Sequence, residues 1–155
     1  MKNLIKECRK YILDCKETLL NTRTCKRGLA EINLNEVEMY LLENKDASFN
    51  EILFMMIDRT NQKDSDVYKK ARIDRRLFSK IRSSKKYIPS KKTVIALCLS
   101  LELDINDTNL LLSSAGYSLS KSNDYDLAIM FCIDKKIYNF YDINEILYEL
   151  GYDIF

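Results

Sequence analysis

Residues 64–83 read DSDVYKKARIDRRLFSKIRS, and the fold turns on this stretch. Asp64-Ser65-Asp66 supplies N-cap residues for a short helix to about Arg72, and Asp74 caps a second helix from Arg75 to about Arg82. The connection is so short that the two helices must turn tightly on one another. Such a pair, with the second helix opening on cations, meets the requirements of a helix-turn-helix that reads DNA. The second helix must be polar on one side to enter a major groove about 12 Å wide, and apolar on the other to anchor on its predecessor. Leu77, Phe78 and Ile81 form the anchoring side. Arg75, Arg76, Ser79, Lys80 and Arg82 are therefore the candidate DNA contacts, with Arg75 and Arg76 on the first turn. Lys69, Lys70, Lys85, Lys86, Lys91 and Lys92 flank them as candidate phosphate contacts. Tyr68 and Tyr87 stand among these cations, where a ring either packs with a wet hydroxyl or stacks on a base.

Charge is concentrated at the same place. The 155-residue chain has a formal net charge of only +2. Lys63 to Lys92 nevertheless holds twelve Lys or Arg against three Asp, a net +9, while Thr93 to Phe155 holds three against ten, a net −7. Residues 1–48, with nine positive and eight negative groups, are nearly balanced. A polyanion is expected to meet the middle third, and the acidic C-terminal third argues against a general DNA-coating role.

Helical periodicity continues on both sides of the central pair. Upstream, Ser48-Phe49-Asn50-Glu51 is a capping box opening a helix with Phe49, Ile52, Leu53, Met56 and Ile57 facing inward. Downstream, Ser90 follows the only proline, Pro89, and caps a helix bearing Val94, Leu97, Cys98 and Leu101. Asn106-Asp107 starts another, through Leu110, Leu111 and Ala115, with Gly116 at the left-handed position that ends it. Two further helices are expected. One spans about 124–134 with Leu127, Phe131 and Ile133 inward; the other spans about 143–150, from an Asp142–Glu145 capping box to Gly151. At the N-terminus a helix at about 2–20 carries a stripe of Leu4, Ile5, Cys8, Ile12, Cys15 and Leu19. A polar stretch from Asn21 to Asn33, with Gly28 as an internal hinge, leads to a short helix near Leu34–Leu42. The count is nine helices. Three glycines and one proline are too few for the hairpins of a many-stranded protein, so the fold class is all-α. The expected organisation is a helical extension at 1–47, a core at 48–116, and two C-terminal helices within 117–155 packed on that core.

The run Val67–Arg82, then Pro89-Ser90 and the apolar helix ending Leu101-Glu102-Leu103, resembles the Cro/phage-repressor (XRE-type) helix-turn-helix domain. Ile73 matches the hydrophobic residue ending the turn, Asp74 the small polar cap, and Phe78-Ser79-Lys80-Ile81 the core of the recognition helix. The resemblance covers roughly Phe49 to Gly116. It implies a repressor-like core, DNA as partner, and a role in transcriptional control or in a mobile-element or phage-conflict setting. Three positions differ from the family pattern: Tyr68 stands in place of a small alanine, Arg72 in place of a turn glycine, and Asp64 in place of a phosphate-bonding glutamine. Residues 48–155, through SFNEILFMMIDRTN, DVYKKARIDRRLFSKIRS, PSKKTVIALCLSLELD and YDINEILYELGY, also resemble a helical domain at the C-terminus of some bacterial macrodomain proteins. The macrodomain itself has no counterpart in residues 1–47, which lack its glycine-rich loops and strands.

Catalysis is disfavoured by composition. The chain has no histidine, hence neither the commonest general base nor the commonest zinc ligand. Cys8, Cys15, Cys25, Cys98 and Cys132 form no CxxC pair and no even ladder, and are read as reduced thiols of a cytoplasmic protein. Asp64/Asp66 and Asp124/Asp126 lie two apart, on different helix faces, at helix starts where the macrodipole accounts for them. Ser79-Lys80 and Ser90-Lys91 are chance neighbours in a lysine-rich chain, and no GxxxxGK or GxGxxG loop is present. The expectation is a protein that is not an enzyme and takes no cofactor or metal. Charges interrupt the N-terminal twenty residues too often for a signal or membrane segment, so no membrane partner is expected. Two further partners remain open: another copy of the chain, paired through residues 1–20, and an acidic protein met by the basic face of an adaptor or inhibitor.

Overall fold

Polar residues in extended backbone start the helices. The computed structural model describes residues 34–155 and divides the chain into two compact units, 1–45 and 46–155. The readings placed on residues 1–33, namely the helix at 2–20, its Cys8 and Cys15 stripe, self-association through 1–20 and the Gly28 hinge, lie outside the described residues. In the first unit, α1 spans Leu34–Glu43, and the Asn44 side chain donates to the Tyr40 carbonyl at its end, at 2.8 Å.

The second unit holds α2 (Phe49–Thr60), α3 (Asp64–Lys70), α4 (Arg75–Ser83), α5 (Lys91–Ser100), α6 (Ile105–Ser114), α7 (Asp124–Asp134) and α8 (Phe140–Glu149). The fold is all-α, with no strand among the described residues. Ser48 and Glu51 form the capping box of α2, and Asp74 and Ser90 cap α4 and α5. Three starts differ from the sequence reading. Helix α3 has Lys63 at its cap position with no side-chain cap hydrogen bond, so Asp64 and Asp66 do not cap it but stand in its first turn, where the helix dipole favours carboxylates. Helix α6 begins at Ile105, with Asp104 accepting from the amides of both Asn106 and Asp107 at 2.9 Å. Helix α8 begins three residues earlier, capped by Asn139, so the expected Asp142–Glu145 box lies inside it. An α8 starting at Phe140 buries Phe140, Ile143 and Leu147 on one stripe, which a start at Ile143 would cut short.

Among the described residues, five helices end in the same left-handed turn. The backbone has positive φ at Arg72, Glu102, Gly116, Lys136 and Gly151, and the next residue donates back to the carbonyl five positions earlier. Ile73 bonds Tyr68 at 2.9 Å, Leu103 bonds Cys98 at 3.1 Å, Tyr117 bonds Leu112 at 2.9 Å, Ile137 bonds Cys132 at 2.8 Å and Tyr152 bonds Leu147 at 2.8 Å. Each donor is apolar or aromatic and packs on the core, so every turn redirects the chain inward. Gly116 and Gly151 adopt this conformation freely, whereas Arg72, Glu102 and Lys136 adopt it against the steric preference of their side chains.

The core is a single cluster running from Phe49 to Leu147. Helix α5 is its axis, buried at every position from Val94 to Ser100, with α3 and α6 packed against it. Helix α2 packs on α6, and α7 bridges α6 to α8. The inward face of α7 is Ala128, Ile129, Cys132 and Ile133; Leu127 and Phe131, expected inside, point to solvent. Among the described residues no helix is long and apolar enough to cross a membrane.

Candidate nucleic-acid interface

Helices α3 and α4 are separated by Ala71, Arg72, Ile73 and the cap Asp74. Buried Ala71 and the left-handed Arg72 close the turn, and Asp74 accepts from the Arg76 amide at 2.6 Å. A glycine at position 72 is thus unnecessary for the turn to form. The back of α4 is held firmly. Phe78 is buried between Phe54 of α2, edge-on at 6.1 Å, and Tyr68 of α3, tilted at 5.6 Å. Tyr68, in place of a small residue, therefore serves as a wall for Phe78. Asn50 of α2 is buried and its amide donates to the carbonyls of Ile81 and Arg82, satisfying acceptors at the end of α4 that have no helical partner.

The front of α4 presents Arg75, Arg76, Ser79 and Lys80, all exposed and spaced to share one face. Ser83 extends this face by one turn. Arg75 and Arg76, together with Lys69 and Lys86, have no ion-pair or ring partner among the described residues. Lys80 lies 4.0 Å above the Tyr87 ring, which holds its ammonium on the α4 side of the Ser84–Pro89 loop. Arg82 differs from these: it is paired with Asp64 and stacked 4.1 Å from the Phe54 ring centre. The Asp64 carboxylate thus faces an arginine of its own chain.

The flanking lysines fall into two groups. Lys70 pairs with Glu102 at 2.5 Å, Lys85 with Glu51 at 3.1 Å and Lys91 with Asp126 at 2.6 Å, while Lys92 lies 5.9 Å from the Phe155 ring centre. Exposed pairs of this kind contribute little to stability and open readily, so Lys70 and Lys85 remain available to a phosphate. Lys91 is more firmly committed, because its partner Asp126 is buried. The carboxyl of Glu51 is held down at about 2 by hydrogen bonds from the Ser48 backbone and hydroxyl and then by Lys85.

Two features have no local signal in the sequence. Arg72 projects from the turn over the rings of Tyr141, at 5.1 Å, and Phe140, at 5.9 Å, so the first turn of α8 lies beside the α3–α4 turn. The pairing spans about seventy residues, and neither partner belongs to a local pattern. The second feature is a groove of about 310 Å³ between them. Among the described residues no group of three or more Cys, Asp or Glu is placed to hold a metal ion. Comparison of the chain with protein families, with characterised proteins and with solved structures finds no match.

Proposed function

We propose that this chain is a non-catalytic DNA-binding protein that lays the Arg75–Lys80 face of α4 in the major groove. The carrying observation is the pair Arg75 and Arg76, unpartnered among the described residues, on the first turn of a helix anchored from behind by Phe78, Ile81 and Asn50. Paired arginines at a recognition-helix N-terminus reach base edges, guanine above all, while Lys69, Lys70, Lys85 and Lys86 neutralise phosphates on either side. Lys92 joins them at the edge, and Lys91 is the least available of the six. A regulator of transcription or of a mobile element or phage conflict is the setting that the resemblance to the repressor-type domain implies, and cysteines read as reduced thiols favour a cytoplasmic one.

One observation favours a second reading, an adaptor or inhibitor that meets an acidic protein partner. Arg82 and Asp64, a recognition-face cation and the residue at the position of a phosphate contact, are paired with each other. The test is selection from a randomised duplex library. Enrichment of a site, lost in Arg75→Ala/Arg76→Ala, supports DNA reading; retention of no duplex, with capture of an acidic protein through the same arginines, supports the adaptor.

A further inference from the structure

The groove between the end of α3 and the first turn of α8 differs from the rest of the C-terminal third, which is acidic. It is lined by Lys69, Lys70 and Arg72 on one side and by Asn139, Phe140 and Tyr141 on the other, and no carboxylate lines it. Its volume of about 310 Å³ lies at the small end of the range for ligand sites, roughly 300–1,000 Å³. Tyr141 is 77% exposed, so one face of its ring is open to solvent. The Arg72 guanidinium is 5.1 Å from that ring and has no carboxylate partner among the described residues. Lys69 is likewise unpaired there, and Lys70 is shared only with Glu102. The Asn139 side-chain Oδ1 accepts from the Tyr141 amide at 3.0 Å, which leaves the side-chain NH₂ group as a donor.

We propose that this groove binds a nucleoside phosphate, with the base stacked on Tyr141 and the phosphate met by Lys69 and Arg72. An open aromatic face beside unpaired cations is the combination that takes a single unstacked nucleotide: every base has a π-face, and the cations supply the charge. Arg72 is also only three residues from Arg75, the first residue of α4. The nucleotide has two sources, free mononucleotide or an unpaired nucleotide of a strand held at α4. The second source rests on the DNA-binding reading above; the first does not.

The experiment titrates the full chain with adenosine 5′-monophosphate, followed by NMR of the tyrosine ring signals. In parallel it compares a blunt duplex with the same duplex carrying one unpaired 5′ nucleotide. Wild type, Tyr141→Phe, Tyr141→Ala and Arg75→Ala/Arg76→Ala are tested in each arm. Tyr141 is exposed, so these substitutions leave the core intact. The proposal expects a Tyr141 response to the mononucleotide, or about tenfold tighter binding of the overhang duplex than of the blunt one. Tyr141→Phe retains the effect and Tyr141→Ala abolishes it. A mononucleotide response without an overhang gain assigns the free nucleotide, and an overhang gain assigns the strand. Failure of both arms in wild type overturns the proposal, as does an effect that survives Tyr141→Ala. If blunt duplex is not bound but the mononucleotide is, the groove stands and the α4 reading falls. If blunt duplex is bound and neither Tyr141-dependent effect is seen, the reverse holds.

Discussion

The ammonium of Lys91 lies 2.6 Å from Oδ2 of Asp126, whose side chain is 3% exposed, and the same oxygen accepts from the Ser120 amide at 2.8 Å. The contact ties the first turn of α5 to α7 across the loop that precedes α7. Lys91→Met leaves a buried carboxylate without its cation, and breaking such a pair costs about 3–5 kcal/mol. The exposed pair Lys85–Glu51 is the control, and Lys85→Met is expected to change stability little. Urea unfolding of the two variants separates these effects; equal midpoints would show that the Asp126 pair is not structural.

Acid weakens α2 through Glu51. Its carboxyl titrates near 2 instead of 4.5, because Ser48 and Lys85 bond the charged form. The folded pKa lies below the unfolded one, so the contribution is complete above about 4.5 and is lost as pH falls toward 2. Glu51→Gln keeps a capping acceptor but removes the titration. Stability measured between pH 5 and pH 2 should therefore fall less steeply in Glu51→Gln than in wild type, by on the order of one proton in the linkage slope.

The left-handed turns predict opposite responses to glycine chemistry. Lys136 has φ of +55° and no ion-pair or ring partner among the described residues. Lys136→Gly relieves the strain of that conformation, partly offset by the greater freedom of glycine in the unfolded chain, for a net gain of about 0.5–1 kcal/mol. Gly116→Ala and Gly151→Ala meet no atom within 4 Å, so their cost, of the same order, comes from backbone conformation alone. Thermal unfolding should place Lys136→Gly above wild type and both alanine variants below it.

Burial pushes the Cys98 thiol up to about 12 and raises that of Cys132 as well. Neither carries thiolate at neutral pH, and both are covered. Alkylation followed by peptide mass spectrometry should find Cys98 and Cys132 unlabelled in the native protein and labelled in denaturant.

Much of this architecture is legible in the chain because its helix starts are local chemistry. Ser48 with Glu51, Asp74 and Ser90 each stand directly before an apolar periodicity, and each caps the helix expected of it. The start of α8 is ambiguous in the sequence because Asp142–Glu145 also satisfies the capping-box pattern; the inward spacing of Phe140, Ile143 and Leu147 carries the correct start. On α7, exposed Leu127 and Phe131 are at least as hydrophobic as buried Ala128 and Cys132, so hydrophobicity alone does not mark the inward face. Left-handed ends at Arg72, Glu102 and Lys136 escape a reading that looks for glycine, although the apolar residue after each one is a usable cue. The commitments of the cations are long-range. Nothing near Lys91, Arg82 or Arg72 in sequence points to Asp126, Asp64 or Tyr141. The acids paired with Lys70, Lys85 and Lys91 lie outside residues 63–92, so a count of +9 leaves out three carboxylates that stand beside its cations.

The central claim concerns the exposed arginines at the start of α4. Its most direct test is the affinity of the full chain for a random-sequence duplex at two salt concentrations, comparing wild type with Arg75→Ala/Arg76→Ala. Both residues are solvent-facing, so circular dichroism should show the double variant folded as wild type. The account predicts salt-sensitive binding by wild type and, in the variant, at least about tenfold weaker binding with a shallower salt dependence. Absence of wild-type binding at low salt, or equal binding by the two proteins, would contradict it.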